Sequence, residues 1–459
     1  MTVDRSLLLV LLFELLAGGG GVGSAGAQPV ETPARADTLT ADAAVRRALQ
    51  KNPTIRAARQ GRTAASAAFR AARADWFPVV EGQAGYRRLS DNVDYTVDLP
   101  SVPGGGRQAV TFAPAILNRY SARATVEQPL FTGFRVPNEL DAAQARTRAA
   151  AAQVEAQRHE VAFDTRRAYW RLYEAQIREQ AVADALRQIE RRLTDVRNQR
   201  AAGRATEADV LRVKARRDRV RSRQIQARNE RRSARRALND RLGRPLEAAV
   251  VLDDTVTVDS TAHEPSRLVD RATEQRPDLE VLRQTVAARE AEVEVVQSGW
   301  FPQVALTGSY LYARPNEQLF PPEDRFQGTW EAGVRLSWQL SIGGRTDAAV
   351  DRARARRLQA QYELQDRRRA VVATVKKRTQ NVKQARQALR AAETSVRSAR
   401  AAYRAVRSRL EEGMVVVADL LDAGRAVRTA RADLAAAQAD YALARAALDR
   451  ALGRAPTRP

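Results

Sequence analysis

Apolar residues recur at helical spacing along most of this chain, and in four short stretches the period falls to two. A helix is expected from about Thr40 to Asp75, broken at Asn52-Pro53 because the residue before proline is driven out of the α region. Thr40 is its N-cap. A helix of the same design covers about Ser266 to Gly299, with its break at Arg276-Pro277. Each ends in Trp-Phe-Pro (Trp76-Phe77-Pro78 and Trp300-Phe301-Pro302), and there the period changes. Val80, Gly82, Ala84 and Tyr86 alternate with Glu81, Gln83 and Arg87. In the same way Val304, Leu306, Gly308 and Tyr310 alternate with Gln303, Thr307 and Ser309. The clearest case puts Trp330, Ala332, Val334, Leu336, Trp338 and Leu340 on one face and Glu331, Gly333, Arg335, Ser337 and Gln339 on the other. Tyr120 to Leu130 repeats the pattern more weakly. Strands are expected at about 79–90, 119–131, 302–313 and 327–341.

The stretches that follow are of the opposite kind. From about Pro137 to Ala202 there is no further proline and little glycine, and Ala, Arg, Gln and Glu dominate. A helix over 137–202 would be roughly 100 Å long. It must pack against other long helices as a coiled coil, and its alanine content suits close approach. A second helix over 205–242 returns beside it after a turn at Gly203. The pair recurs at 346–411 and 415–452, with Gly413 in the turn. Leu242-Gly243-Arg244-Pro245 and Leu452-Gly453-Arg454 are glycine stops. Between paired strands, Leu99–Gln108 and Pro315–Asp324 read as Pro- and Gly-rich loops. Gly104-Gly105-Gly106 is not a phosphate cradle, because no Lys-Ser/Thr follows and no helix opens there.

These elements occur twice. Pro53 and Trp76 match Pro277 and Trp300 at an offset of 224, while Gly133, Gly203 and Gly243 match Gly343, Gly413 and Gly453 at 210. One insertion of 14 residues between Pro78 and Gly133 of the first copy accounts for the change. The chain divides into a first repeat (28–243), a mixed connector (244–265), a second repeat (266–453) and a tail (454–459).

Residues 1–27 add a compartment. Arg5 supplies a positive start, Leu7 to Leu16 a short apolar run, and Ala25-Gly26-Ala27 a signal-peptidase site, so the mature chain is expected to begin at Gln28 outside the cytoplasm. The absence of cysteine excludes disulfides, thiolate metal sites and N-terminal lipid attachment. His159-Glu160 lacks the second histidine of a zincin helix, and His263 is the only other histidine, so no metal or other cofactor is expected. The net charge of +23 is mostly arginine dispersed over helices. It reads as solvated helix faces, and an exported chain is not expected to bind nucleic acid. No later apolar run could cross a bilayer as a helix, so any membrane span must be made of strands.

Strands of about 10 residues with one apolar and one polar face suit lipid outside and water inside. Trp76, Phe77, Trp300, Phe301, Trp330 and Trp338 suit a bilayer interface. Four strands cannot close a barrel, and an open sheet in lipid leaves backbone groups unpaired at several kcal/mol each. Copies of the chain must therefore share one barrel: two would give 8 strands and a filled interior, three would give 12 and a water-filled lumen. The long helices would continue it as a tube.

The Asn52-Pro53 opening, both Trp-Phe-Pro entries, Gln128-Pro129-Leu130-Phe131-Thr132-Gly133, the helix turns and the Leu-Gly-Arg endings together resemble the TolC family of outer membrane efflux proteins over nearly the whole mature length. The resemblance implies a homotrimer with a 12-stranded membrane β-barrel and a periplasmic α-helical barrel in a Gram-negative-type outer membrane. It also implies a periplasmic adaptor (membrane fusion) protein and an inner-membrane transporter, proton-driven or ABC type. In that family two aspartates one helical turn apart line the periplasmic entrance. Val416-Val417-Ala418-Asp419-Leu420-Leu421-Asp422-Ala423 is similar, which implies that role for Asp419 and Asp422. The alternative is two solvated aspartates near a helix N-terminus. The family's counterpart of Asp209 is held by a Tyr and an Arg, but those positions are Leu410 and Val415 here, so that lock is not carried over. Arg409, Glu411 and Glu412 are nearby candidates for other closing contacts. The turns at 202–208 and 412–418 are implied adaptor-docking or gating sites, where Gly203 and Gly413 serve backbone shape.

A passive exit duct for small toxic molecules is the expected function, without catalysis, since no nucleotide loop, nucleophile triad or metal cluster is present in the sequence. The outer-membrane component of type I protein secretion is the alternative within the class. A periplasmic structural coiled coil without a pore is the alternative outside it, and it leaves the four amphipathic strands unexplained.

Overall fold

The structure, a computed structural model, describes residues 38–91, 95–99, 108–113, 115–253 and 265–454. The segment 1–27 expected to direct export, the Gly104-Gly105-Gly106 run, His263 and most of the tail lie outside the described residues.

Strand β1 (Thr38–Leu39) leads into helix α1 (Ala41–Lys51), where the Thr40 hydroxyl accepts from Ala43 N at 3.1 Å. Asn52 ends α1 and caps α2 (Pro53–Ala74), its Oδ1 accepting from Thr54 N at 2.9 Å. Proline at the first position of α2 costs nothing there, since that N–H has no helical partner. Strand β2 (Val79–Arg88) is followed by a hairpin of β3 (Tyr95–Leu99) and β4 (Gln108–Ala113), then by β5 (Asn118–Phe131). The β3–β4 hairpin flanks the stretch read above as a simple loop. Its strands are only five and six residues long; β3 alternates (Tyr95, Val97 and Leu99 against Thr96 and Asp98) but is too short for periodicity to mark it, and β4 lacks clean alternation.

Helix α3 (Arg135–Ala201) is continuous over 67 residues, and α4 (Glu207–Arg241) runs back beside it. At 35 residues α4 reaches only about halfway along α3, and Arg241 ends near Asp164 (3.8 Å). The other half of α3 packs against α2 and against α6 (Pro277–Gln297). The described part of the connector contains β6 (Val251–Leu252), which pairs in parallel with β1, a contact that two-residue strands do not announce in sequence. The second copy continues with α5 (Pro265–Gln275), α6, a 3₁₀ turn at Ser298–Trp300, β7 (Gln303–Arg314), β8 (Gln327–Ser337), α7 (Arg345–Glu411) and α8 (Val417–Ala451). Strand β8 stops short of the expected residue 341. Its last pairing is Ser337 with Gln303, where β7 begins, so Trp338 to Leu340 have no ladder partner.

Two apolar cores lie at mid-helix. The larger joins Val45, Ala48 and Ile55 to Val161, Tyr169, Leu172, Leu238 and Leu242. The smaller joins Leu268, Ala272 and Leu279 to Val371, Val375 and Leu452. Ala48 and Ile55 match Ala272 and Leu279 at the offset of 224, and Val161 and Leu242 match Val371 and Leu452 at 210. Tyr169, fully buried, donates its hydroxyl proton to carbonyls of the β1–β6 pair, with Leu39 O at 2.9 Å and Asp253 O at 2.5 Å. That bond ties the connector to the middle of α3.

Candidate functional site: a two-faced sheet and two helix turns

The main sheet is antiparallel with strand order β2-β5-β7-β8. Residues directly opposite in a sheet share a face. The pairs Val80–Val126, Ala84–Ala122, Tyr86–Tyr120, Val126–Gly308, Ala124–Tyr310, Leu306–Val334, Tyr310–Trp330 and Val304–Leu336 therefore define one apolar face across all four strands. This face is uncovered: Trp330 is 77% exposed and Val80, Val334 and Leu336 are nearly as open. The other face carries Glu81, Gln83, Arg123, Thr125, Glu127, Thr307, Ser309, Glu331 and Arg335. There Arg335 pairs with Glu127 at 3.1 Å and Ser309 donates to Glu331 at 2.9 Å. A sheet with one exposed apolar face and one mainly hydrogen-bonded polar face, whose only buried apolar side chains among those described are Leu311 and Ala313 near the loop end, suits lipid on one side and water on the other.

Aromatic residues mark both ends of the apolar face. At the helix end, Phe131, Phe134 and Phe301 meet edge to face, with centroids 5.3 and 5.9 Å apart. The Trp338 indole donates to Trp300 O at 3.1 Å, Trp300 donates to Asp347 at 3.2 Å, and Trp76 O accepts from Gln128 at 3.0 Å. Trp76, Phe77, Trp300 and Phe301 are all exposed here. At the loop end, Tyr86 and Tyr120 lie 4.9 Å apart, and Phe326 stacks on Tyr312 at 5.2 Å beside them. Trp330 belongs to this loop-end group, three residues into β8. Sequence reading places Tyr86 and Tyr310 on the apolar face but misses the belt they make with Tyr120, Tyr312 and Phe326. The signal is available in the shared parity of those tyrosines once the register is known. Trp330 and Trp338 are eight residues apart, about 27 Å along an extended chain. That distance is close to the roughly 25 Å apolar band between the aromatic girdles of membrane barrels.

The two helix turns lie at the other extreme of the long helices. Gly203 (φ +68°) and Gly413 (φ +74°) both take the left-handed conformation, and neither has an atom within 4 Å of where a side chain would begin. Their role is backbone shape. Thr206 and Asp209 form a capping box: Thr206 Oγ1 accepts from Asp209 N at 3.2 Å, and Asp209 Oδ2 accepts from Thr206 N at 3.1 Å and from its hydroxyl at 2.6 Å. These bonds hold the Asp209 carboxyl below its usual range. Its partners are in its own turn, with Arg212 at 3.6 Å. Asp419 is the matching residue of the second copy. Its Oδ2 accepts from Val416 N at 3.2 Å, and the reciprocal side-chain bond is lost because valine has no acceptor. Asp422 pairs with Arg425 at 3.0 Å. Both aspartates are exposed, on one side of α8. Glu411 accepts from Arg407 at 3.0 Å on its own helix, and Glu412 accepts from Ser408 at 3.4 Å.

Among the described residues no helix is long and apolar enough to cross a membrane, and no group of three or more His, Asp or Glu side chains is placed to hold a metal ion.

The comparisons agree with this geometry. A family model described as outer membrane efflux protein matches residues 44–244 and 268–454. The alkaline protease secretion protein AprF of Pseudomonas aeruginosa is 27% identical over 252 residues, 54% of this chain and about half (51%) of AprF. The outer membrane protein TolC of Vibrio cholerae is 25% identical over 316 residues, 68% of this chain and 72% of TolC. In fold the chain is similar to the outer membrane channel CmeC of Campylobacter jejuni, with a TM-score of 0.71 at 17% identity over 90% of this chain and 85% of that one. With both repeats matched, the chain belongs to the TolC-type outer membrane efflux protein family and is an outer-membrane protein with a large periplasmic portion.

Proposed function

We propose that three copies of this chain close a 12-stranded β-barrel in the outer membrane, continued by their long helices as a periplasmic tube. This duct passively conducts small toxic molecules handed over by a periplasmic adaptor and an inner-membrane pump. The observation that carries the reading is the sheet. Its apolar face is open, it is bounded by two aromatic belts, and both edge strands, β2 and β8, lack a partner among the described residues. Unpaired edges are untenable in lipid, so neighbouring copies must supply the pairing.

Asp419 and Asp422 are proposed to line the periplasmic entrance as two stacked rings of carboxylates. Their exposure and their common side of α8 support this. Clustered carboxylates attract cations and repel anions. Asp209 is proposed to shape the first copy's turn through its capping box, and the two turns to receive the adaptor.

Similarity to AprF, a secretion protein, favours a second reading in which the same duct serves type I protein secretion. The duct residues do not distinguish the cargoes.

The experiment is the native mass of the protein extracted from outer membranes in mild detergent, followed by conductance in planar bilayers. Three chains and a conducting pore that prefers cations are expected, with the preference reduced in Asp419→Ala/Asp422→Ala. A monomer or dimer would sink the barrel. An unchanged ion preference in the double variant would remove those aspartates from the pore.

A further inference from the structure

Between α7 and α8, a few turns from the Gly413 bend, lies a cleft of about 580 Å³ lined by Arg397, Arg400, Arg404, Arg428 and Arg431, with Tyr403 and Gly424. The lining holds five guanidinium groups and no carboxylate. Among the described residues none of the five makes an ion pair, although arginines elsewhere in the chain commonly do. Arg428 is half-buried, and its Nη2 is shielded from solvent without a hydrogen-bond partner. A buried guanidinium N–H left unpaired is costly, and such groups in native proteins call for an explanation.

The first copy shows that this arrangement is not inherited from the repeat. At the offset of 210, Thr394, Arg400 and Arg428 replace Asp184, Glu190 and Asp218. In the first copy Arg187 pairs with Asp184 and Arg217 with Asp218. Their second-copy counterparts are Arg397, whose Nη2 reaches only the Thr394 hydroxyl at 2.8 Å, and Val427. Three acids of the first copy are thus missing from the second copy's helical pair, two of them at positions that line the cleft. Two further changes reshape the space, the first by removing a side chain and the second by supplying an aromatic wall. Gly424 stands where the first copy has Lys214, and Tyr403 where it has the buried Leu193. A glycine inside a helix is unfavourable unless something uses the room it leaves. Here a Cβ at 424 would make ordinary contact with both Arg428 Nη1 and the Tyr403 ring at 3.5 Å, so any longer side chain would occupy the space between them. Helical spacing places Gly424, Arg428 and Arg431 on the side of α8 opposite Asp419 and Asp422. The cleft is therefore separate from the acidic face.

We propose that this cleft is a binding site for a small, multiply charged oxyanion, one bearing two or more phosphate, sulfate or carboxylate groups, with Arg428 and Arg404 as principal donors and Tyr403 as its wall. Guanidinium forks match such groups bidentately. The occupant is committed to a free small anion rather than to carboxylates of another protein, because the cleft is a local concavity. An extended acidic segment would meet Glu393, which interrupts the line of arginines running along this face of α7 from Arg386 to Arg404.

Pyrophosphate is the probe, titrated calorimetrically into the full-length protein in mild detergent at physiological salt. Saturable binding is expected, weakened at least ~10-fold in Arg404→Gln/Arg428→Gln by the loss of charge-assisted hydrogen bonds. Gly424→Leu, which fills the space without changing charge, should weaken it as well. The first-copy control Arg187→Gln/Arg221→Gln makes the same charge change and should leave the affinity within about twofold, since only exposed charges are altered. Equal weakening in the control would mean non-specific attraction to a basic protein and would overturn the site. Absence of binding by the native protein would also overturn it, and would mean that carboxylates of another copy or another protein fill the cleft. Neither result depends on whether the chain forms a pore.

Discussion

Asp278 opens α6 and has two arginines on its carboxylate: Arg276 at 2.8 Å and Arg367, from α7, at 2.8 Å. Burial pushes its pKa up, but the two guanidinium groups overcome that and hold it at about 2. A depressed folded pKa contributes stability that is complete above the unfolded value of 3.8 and is lost as pH falls through about 2. The site is partly open, so solvent screening reduces the contribution to ~1–2 kcal/mol. Asp278→Asn should lower thermal stability at pH 7 by that amount and approach the parent as the pH falls below about 2, which thermal melts across pH would check. Individual residues are partly legible in the sequence. Thr40 is recognisable as a cap because a hydroxyl precedes an amphipathic run. Asp209 is harder: Thr206 three residues before it spells a capping box, yet resemblance directs attention to a partner on the other copy, and the structure finds its bonds at home.

At the scale of elements, proline and glycine carry most of what can be read. Pro53 and Pro277 start helices, and Gly133, Gly203, Gly243, Gly413 and Gly453 take positive φ at helix boundaries. These glycines are not equivalent in cost. At Gly133 (φ +62°) a Cβ would sit 2.8 Å from Phe301 Cβ and from Ser298 O, whereas at Gly203 it would meet nothing. Gly133→Ala should therefore cost both conformational strain and overpacking, ~2–4 kcal/mol, against about 1 kcal/mol for Gly203→Ala. Denaturation of the two variants side by side measures the difference, and equal costs would mean that the strand-to-helix corner yields easily. The elements that sequence does not reveal are the short ones. The pairing of β1 with β6 is tied by the Tyr169 hydroxyl, a tertiary contact that no local pattern encodes, and the β3–β4 hairpin is built of strands too short to show a period.

For the molecule as a whole, the sheet's two faces set a sharp expectation. Val334 lies opposite Leu306 in the middle of the apolar face, and Thr307 is next to Leu306 on the polar one. In the proposed barrel, Val334→Arg places a charge in lipid at ~2–4 kcal/mol, while Thr307→Arg meets water. The yield of heat-resistant oligomer in the outer membrane should fall for the first and hold for the second. Equal behaviour would mean that the apolar face does not contact lipid.

The edges of that sheet differ from each other. One is β2, the other β8, and the strand directions alternate across the sheet from one to the other. In the proposed ring an antiparallel seam can continue only by joining β8 of one copy to β2 of the next. Such a contact is head-to-tail, so a single seam always leaves one edge of each kind unpaired, and all edges are paired only by rotation through a closed cycle. Every partial assembly keeps one free edge of each kind. A lone copy or a pair is therefore a ready template for further strand addition. Closure of the cycle ends both the assembly and its tendency to aggregate, which makes simultaneous insertion and ring closure the safe route into the membrane.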